Sequence, residues 1–295
     1  MLTKPHFIFL TQMTLAAALS LGACATLFEP AATPTPAPPT FTPVPPTPTP
    51  PPSVARVNDE YILLSDFEAE MARYAAGQDS QANVEEANRA VLEEMIAEVL
   101  FAQAAREAGF TLSESDLQAR MDALANQLGG AEALSAWQAA HGYDAATFRA
   151  ALKRSIEAAW MRDNIIANVP NSIEQIHLRQ ILTYNEADAR SAYEQLQNGA
   201  DFDELAALYD PLTLGELGWM PPGYLLDAKA DAAVFALPVG AYSEVIATDA
   251  GFHIFKALER GEHALSPDAL LTVQEQALQT WLDARRAASA ITLAP

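Results

Sequence analysis

A chain of 295 residues is longer than one typical domain, and a formal charge of −21 makes it strongly acidic. Before residue 54 only Lys4 and Glu29 are charged and they cancel, so the acidity belongs to the sequence that follows. That balance argues against nucleic acid and against direct adhesion to anionic lipid, and leaves cationic or apolar partners.

The opening stretch, "MLTKPHFIFLTQMTLAAALSLGAC", pairs Lys4 with an apolar run from about Phe7 to Leu21 and closes in small residues, the layout of a signal peptide. The run is short for a membrane span. Its end, Leu21 to Cys24, resembles the lipobox of bacterial lipoproteins, which implies cleavage after residue 23 and lipidation of Cys24, the only cysteine of the chain. The alternative is a signal peptide cleaved near "GACA" with an incidental cysteine.

From Pro30 to Pro52 runs "PAATPTPAPPTFTPVPPTPTPPP", with few backbone donors and no periodic apolar face. It reads as a stalk over 24–53. In polyproline II form at about 3.1 Å per residue it reaches roughly 70 Å.

"VARVNDEYIL" (54–63) reads as two short extended pieces around an Asn58-Asp59 turn, with Ser65 and Glu68 as a capping box for the next helix. Helices follow at 85–109, 113–128, 131–141 and 144–168. Their apolar stripes recur at three-and-four spacing, as in Leu92, Met95, Ile96, Val99 and Leu100. No His, Cys or carboxylate cluster with ligand spacing appears there, and no metal or cofactor is expected.

Beyond Pro170 the pattern changes. "SIEQIHLRQILTY" alternates and is rich in branched residues, so it predicts a strand. A helix ending at Gly199 follows, then "FDELAALY" capped by Asp201, a Gly/Pro-rich loop over 210–226, a helix around "DAKADAAVFAL" and two strands, "YSEVIAT" and "GFHIFKALE". This order describes an α+β unit of about 90 residues. A final helix, Pro267 to Ala288, extends beyond that unit, and its apolar face needs a partner, best supplied by the earlier helices.

The ordered set "RQIL", "NGADFDELAALY", "GELGWMPPG", "VFALPVGAYSEVI" and "TDAGFHIFKALE" resembles the parvulin-type peptidyl-prolyl cis-trans isomerases. "VARVNDEYILLSDFE" and the helices around it are similar to the chaperone region of the SurA and PrsA foldases. The resemblance implies a fold of class α+β, with a parvulin-like domain at 171–262 inserted in an all-α domain at 54–170 that is completed by a C-terminal helix at 266–290. It also implies catalytic positions at His253, Thr248 and Asp210, with Gln180 standing where the family has the histidine of its "HIL" motif. The proline pocket is expected from Leu225, Leu226, Trp219, Tyr224 and Phe235. The family's pocket methionine falls on Leu225 or Leu226, and its pocket phenylalanine near Lys229 or Ala230.

His177 cannot replace the missing imidazole, because residues three apart on a strand face opposite sides of the sheet. Gln180 can hydrogen-bond but cannot titrate near neutral pH. The resemblance therefore implies an extracytoplasmic, lipid-anchored folding factor of the bacterial membrane, acting on newly exported or unfolded polypeptides with X–Pro bonds, its isomerase activity weakened or lost. The alternative of another class is a non-catalytic holdase or envelope-complex scaffold that keeps the fold as a binding surface.

Overall fold

The computed structural model describes residues 51–77, 83–225 and 227–294. The signal peptide, Cys24, nearly all of the stalk and Leu226 lie outside the described residues. Among those residues no helix is long and apolar enough to cross a membrane.

Strands β1 (Ser53–Val57) and β2 (Glu60–Leu63) lead into helices α1 (Leu64–Ala76), α2 (Val84–Glu107), α3 (Glu114–Leu128), α4 (Ala131–Ala140) and α5 (Ala145–Ala167). Then come β3 (Ser172–Thr183), α6 (Glu186–Gln197), α7 (Phe202–Tyr209), β4 (Glu216–Met220), α8 (Ala228–Phe235), β5 (Ile246–Thr248) and β6 (Gly251–Ala264). Helix α9 (Pro267–Ala287) and strand β7 (Ile291–Leu293) close the order. The strands form two antiparallel sheets, β2-β1-β7 and β4-β3-β6-β5.

Short polar side chains start most helices: Asn83, Ser113, Asp144, Asn185, Asp201, Asp227 and Ser266 each accept backbone N–H bonds at an N-cap. The capping box expected at Ser65 does not form. The backbone enters α1 straight from β2, and Leu64 N–H donates to Pro52 O at 3.1 Å, so that donor is satisfied by the chain beside it.

Helix α2 is the axis of the helical region. Nearly every residue from Met95 to Ala105 is buried, because α5 packs along it and α9 covers another face. The contact with α9 includes Phe101 and Trp281, whose rings stack at 4.7 Å and 10°. This is the partner that the apolar stripe of the last helix required.

The two extended pieces expected at the start do pair, and a third strand joins them. Residues 55–57 of β1 bond to residues 291–293 of β7, a three-residue strand too short to show alternation in the sequence. Asn58 ties this sheet to α2. At φ 55° it takes the left-handed conformation that asparagine tolerates, and its backbone and side chain bond Ala290 while Nδ2 donates to Gln103 Oε1 at 2.7 Å. Gln103 in turn donates to Val57 O at 3.0 Å.

In the second sheet β3 and β6 pair along their whole lengths, from Ser172↔Ala264 to Thr183↔Phe252. Strand β4, which lies in the stretch expected to be loop, adds to the free edge of β3. One face packs Ile176, Leu178, Phe255 and Ala257 under α8. The other packs Ile181 and Ile254 under α6 and α7.

Replacing Trp281 by Ala removes the ring that joins α9 to α2, and is expected to lower the unfolding free energy by about 2 kcal/mol or more. Urea denaturation monitored by circular dichroism measures it; an unchanged midpoint would mean that α9 does not seal this core.

Candidate functional site: a polar cluster at the end of an apolar cavity

On β3 the side chains of Ile176, Leu178 and Gln180 share one face, and on β6 so do those of His253, Phe255 and Ala257. The register sets Gln180 opposite Phe255 and Leu182 opposite His253, so Gln180 and His253 are diagonal neighbours across the ladder. Their side chains meet: His253 Nδ1 lies 2.9 Å from Gln180 Oε1. Gly215 fixes Gln180 from the other side, its carbonyl accepting from Gln180 N–H at 2.8 Å. Any Cβ at Gly215 would collide with Gln180 O, and its φ of 70° also suits glycine.

An amide oxygen only accepts, so Nδ1 carries the ring hydrogen and Nε2 of the neutral imidazole is an acceptor. Thr248 Oγ1 stands 2.8 Å from Nε2 and donates to it, while itself accepting from Ala250 N–H at 3.1 Å. The result is an ordered chain from Ala250 through Thr248 and His253 to Gln180. His253 is 8 % exposed. Burial lowers its pKa below the ordinary imidazole value of 6.5, against an opposing influence from the Asp227 carboxylate.

This cluster forms one end of a cavity of about 440 Å³. Its apolar wall is built by Leu217 and Met220 of β4, Tyr224 and Leu225 of the following turn, Ala230 of α8 and Phe255 of β6. Phe255 stacks on His253 at 5.2 Å and 6°. Asp227, Asp249 and Ala250 complete the lining.

Of the residues expected from sequence, Gln180, Thr248, His253, Tyr224 and Leu225 stand together in this cavity. Asp210 does not line it. Its carboxylate caps the turn after α7, accepting from Leu212 N–H and Thr213 N–H at 3.1 Å each and from the Thr213 hydroxyl. Those bonds, the hydroxyl's first, hold the carboxyl below its usual pKa. Trp219 also departs from expectation. Alternation along β4 turns it to the other face, where it stacks on His263 at 3.6 Å and on His177 at 5.1 Å. Phe235 sits at the margin of the core, with the Arg260 guanidinium 5.8 Å from its ring centre, and not on the cavity wall.

His177 lies on the opposite face from Gln180, as the spacing required, and bonds Glu216. Glu216 also pairs with Arg179, Arg179 with Asp203, and Asp203 with Lys256, a row of alternating charges on the back of the sheet. The sequence reading missed Leu217, Met220, Ala230, Asp227, Asp249, Ala250 and Phe255 as lining residues. Phe255 was the accessible one, since it is two residues beyond His253 on a strand and must share its face. Met220 was hidden because β4 reads as loop.

A neutral hydrogen-bonded cluster at the end of an apolar slot is suited to holding a ring beside a carbonyl without ionising anything. Residues 180–259 match the PPIC-type PPIASE domain model, and residues 47–152 match the SurA-like N-terminal domain model. The chain thus combines a PPIC-type peptidyl-prolyl isomerase domain with a SurA-like N-terminal domain. It is similar to chaperone SurA of Dechloromonas aromatica, 34% identical over 125 residues that make up 38% of this chain and 28% of the relative. Periplasmic chaperone PpiD of Haemophilus influenzae is 42% identical over 94 residues, 30% of this chain and 15% of the relative. Foldase protein PrsA of a Geobacillus species is 31% identical over 122 residues, 40% of this chain and 44% of the relative. The matched stretches span less than half the length of each of these relatives.

The depressed pKa of His253 gives a sign to the pH dependence. Below 6.5 the unfolded chain takes up a proton at this site that the folded chain refuses, so stability falls as pH drops through that range and rises with pH back toward 6.5. NMR titration of the imidazole is expected to show a midpoint below 6.5, and His253→Gln to flatten the acid limb of the stability curve. A midpoint above 6.5 would contradict the burial seen here.

Proposed function

We propose that this chain is an extracytoplasmic folding factor that binds unfolded or newly exported polypeptides and rotates their X–Pro bonds in the Gln180–His253 cavity. The supporting observation is the junction of that cluster with an apolar wall on one sheet face. Rotation about the imide must overcome about 18–20 kcal/mol of C–N double-bond character, and no bond is made or broken. Leu217, Met220, Tyr224, Leu225 and Phe255 grip the pyrrolidine ring away from water. The carbonyl of the preceding residue is held at the polar end, where its charge changes as conjugation is lost.

In this reading His253 works as a neutral group. Gln180 orients it through Oε1 and offers its own N–H2 donors to the cavity, doing part of what the family's first-strand histidine does without a titrating ring. The rate is then flat above neutral pH. Asp210 is a turn cap outside the reaction. The helical region supplies the surface for longer clients, and a lipid on Cys24 with the proline-rich stalk holds the whole at the membrane.

Proline isomerisation of a neutral Ala-Ala-Pro-Phe peptide by the full chain tests this. His253→Ala is expected to lower kcat/KM by about tenfold or more, a fraction of what positioned polar groups contribute in other sites. Asp210→Ala should leave it within about twofold, as for a surface substitution away from the site. A rate no faster than the uncatalysed reaction, with aggregation of an unfolded client still suppressed, would replace this reading by the non-catalytic holdase.

Gln180→Leu should lower turnover as His253→Ala does, because it removes the acceptor that sets the imidazole tautomer. Gln180→His should retain turnover and introduce a pH dependence between about 5 and 7, the range in which a second imidazole titrates. A flat profile in the Gln180→His variant would mean that position 180 does not contact the reacting amide.

A further inference from the structure

The cavity carries charges that rotation of the amide does not require. Two carboxylates, Asp227 and Asp249, stand among its lining residues, and none of the described lining residues is Lys or Arg. Between residues 171 and 262 the cations are Arg179, Arg190, Lys229, Lys256 and Arg260. Arg179 and Lys256 are joined through Asp203 on the back of the sheet. Arg190 pairs with Glu186 along α6, and Arg260 with Glu174 and the carbonyls of Phe235 and Leu237. Four of the five are thus engaged elsewhere, and Lys229 is exposed on α8.

Both acids line the cavity that holds the polar cluster. Asp249 directly follows Thr248 in the turn between β5 and β6, exposed to solvent. Asp227 is held in place as the N-cap of α8, its Oδ1 accepting from Lys229 N–H at 2.9 Å and Ala230 N–H at 2.8 Å. Its charge is felt at the His253 ring, where it opposes the effect of burial.

The carbonyl of an X–Pro bond belongs to X. A peptide that puts its proline ring on the apolar wall and this carbonyl at Gln180 and His253 brings the side chain of X to the same end, beside the two carboxylates. We propose that the cavity selects X–Pro bonds in which X is Lys or Arg, and disfavours those in which X is Asp or Glu, with Asp227 and Asp249 as the specificity-determining residues. This rests on the reading of the cavity as the prolyl site.

The test uses the full chain and the peptides Ala-X-Pro-Phe with X as Lys, Ala or Glu, with turnover and equilibrium binding measured separately. At low salt the Lys peptide is expected to exceed the Glu peptide roughly fivefold in both kcat/KM and affinity, the scale of two exposed charge contacts. The ratio should shrink toward one in 1 M NaCl, where charges are screened within about 3 Å. It should also shrink in Asp249→Asn and in Asp227→Asn, the latter keeping a good N-cap so that α8 stays folded. Turnover with equal preference for Lys and Glu, or a ratio unmoved by both variants, overturns the selectivity and leaves the isomerase reading standing. Selective binding of the Lys peptide without turnover supports the selectivity and removes the isomerase reading. Failure to bind any of the three peptides overturns both.

Discussion

Everything at the site depends on one ladder, the pairing of β3 with β6. A shift of one residue in either strand would turn Gln180 or His253 to the opposite face and part the pair, since side chains alternate strictly. The register is fixed by what each face buries. Ile176, Leu178, Phe255 and Ala257 must meet α8, while Ile181 and Ile254 must meet α6 and α7. A bulge at His177/Leu178 absorbs an extra residue of β6 without disturbing either set. The polar pair is therefore positioned by the apolar residues around it.

The two faces of this sheet divide the polar chemistry between them. One carries a neutral chain from Thr248 through His253 to Gln180. The other carries the ion-paired row from Glu216 to Lys256, with Glu216 also bonded to His177 and accepting from Gly218 N–H and so holding the first residues of β4. The ion pairs lie behind the sheet, and the strand whose opposite side forms part of the cavity wall is anchored from there.

Much of this was legible in the sequence, for identifiable reasons. The ordered motifs between Ile173 and Arg260 define the α+β unit, and the period of two on β3 assigns His177 and Gln180 to opposite faces. Strand β4 escaped because Gly215, Gly218 and the prolines beside it read as loop, and with it went Met220. Asp210 shows a competition of another kind: family position suggests a site acid, while a local cap through Thr213 engages the same carboxylate, and spacing alone does not separate the two. Asp227 was visible only as a helix start, which it also is. Ser65 shows the opposite case, a good cap signal overridden by a strand that runs straight into its helix.

The pairing of residues 55–57 with residues 291–293 also orders events in time. A chain synthesised N-terminus first presents β1 long before β7 exists, so an edge of that small sheet stays open while everything between is delivered. The sheet and helices from Ser172 to Ala264 contain their own pairings and can close in that interval. Their closure brings the start of α9 near the end of α5 and shortens the loop that β1 and β7 must later bridge. The segment inserted in the sequence thus acts as a splint for the part that surrounds it, and the last residues of the chain complete the first strand's sheet.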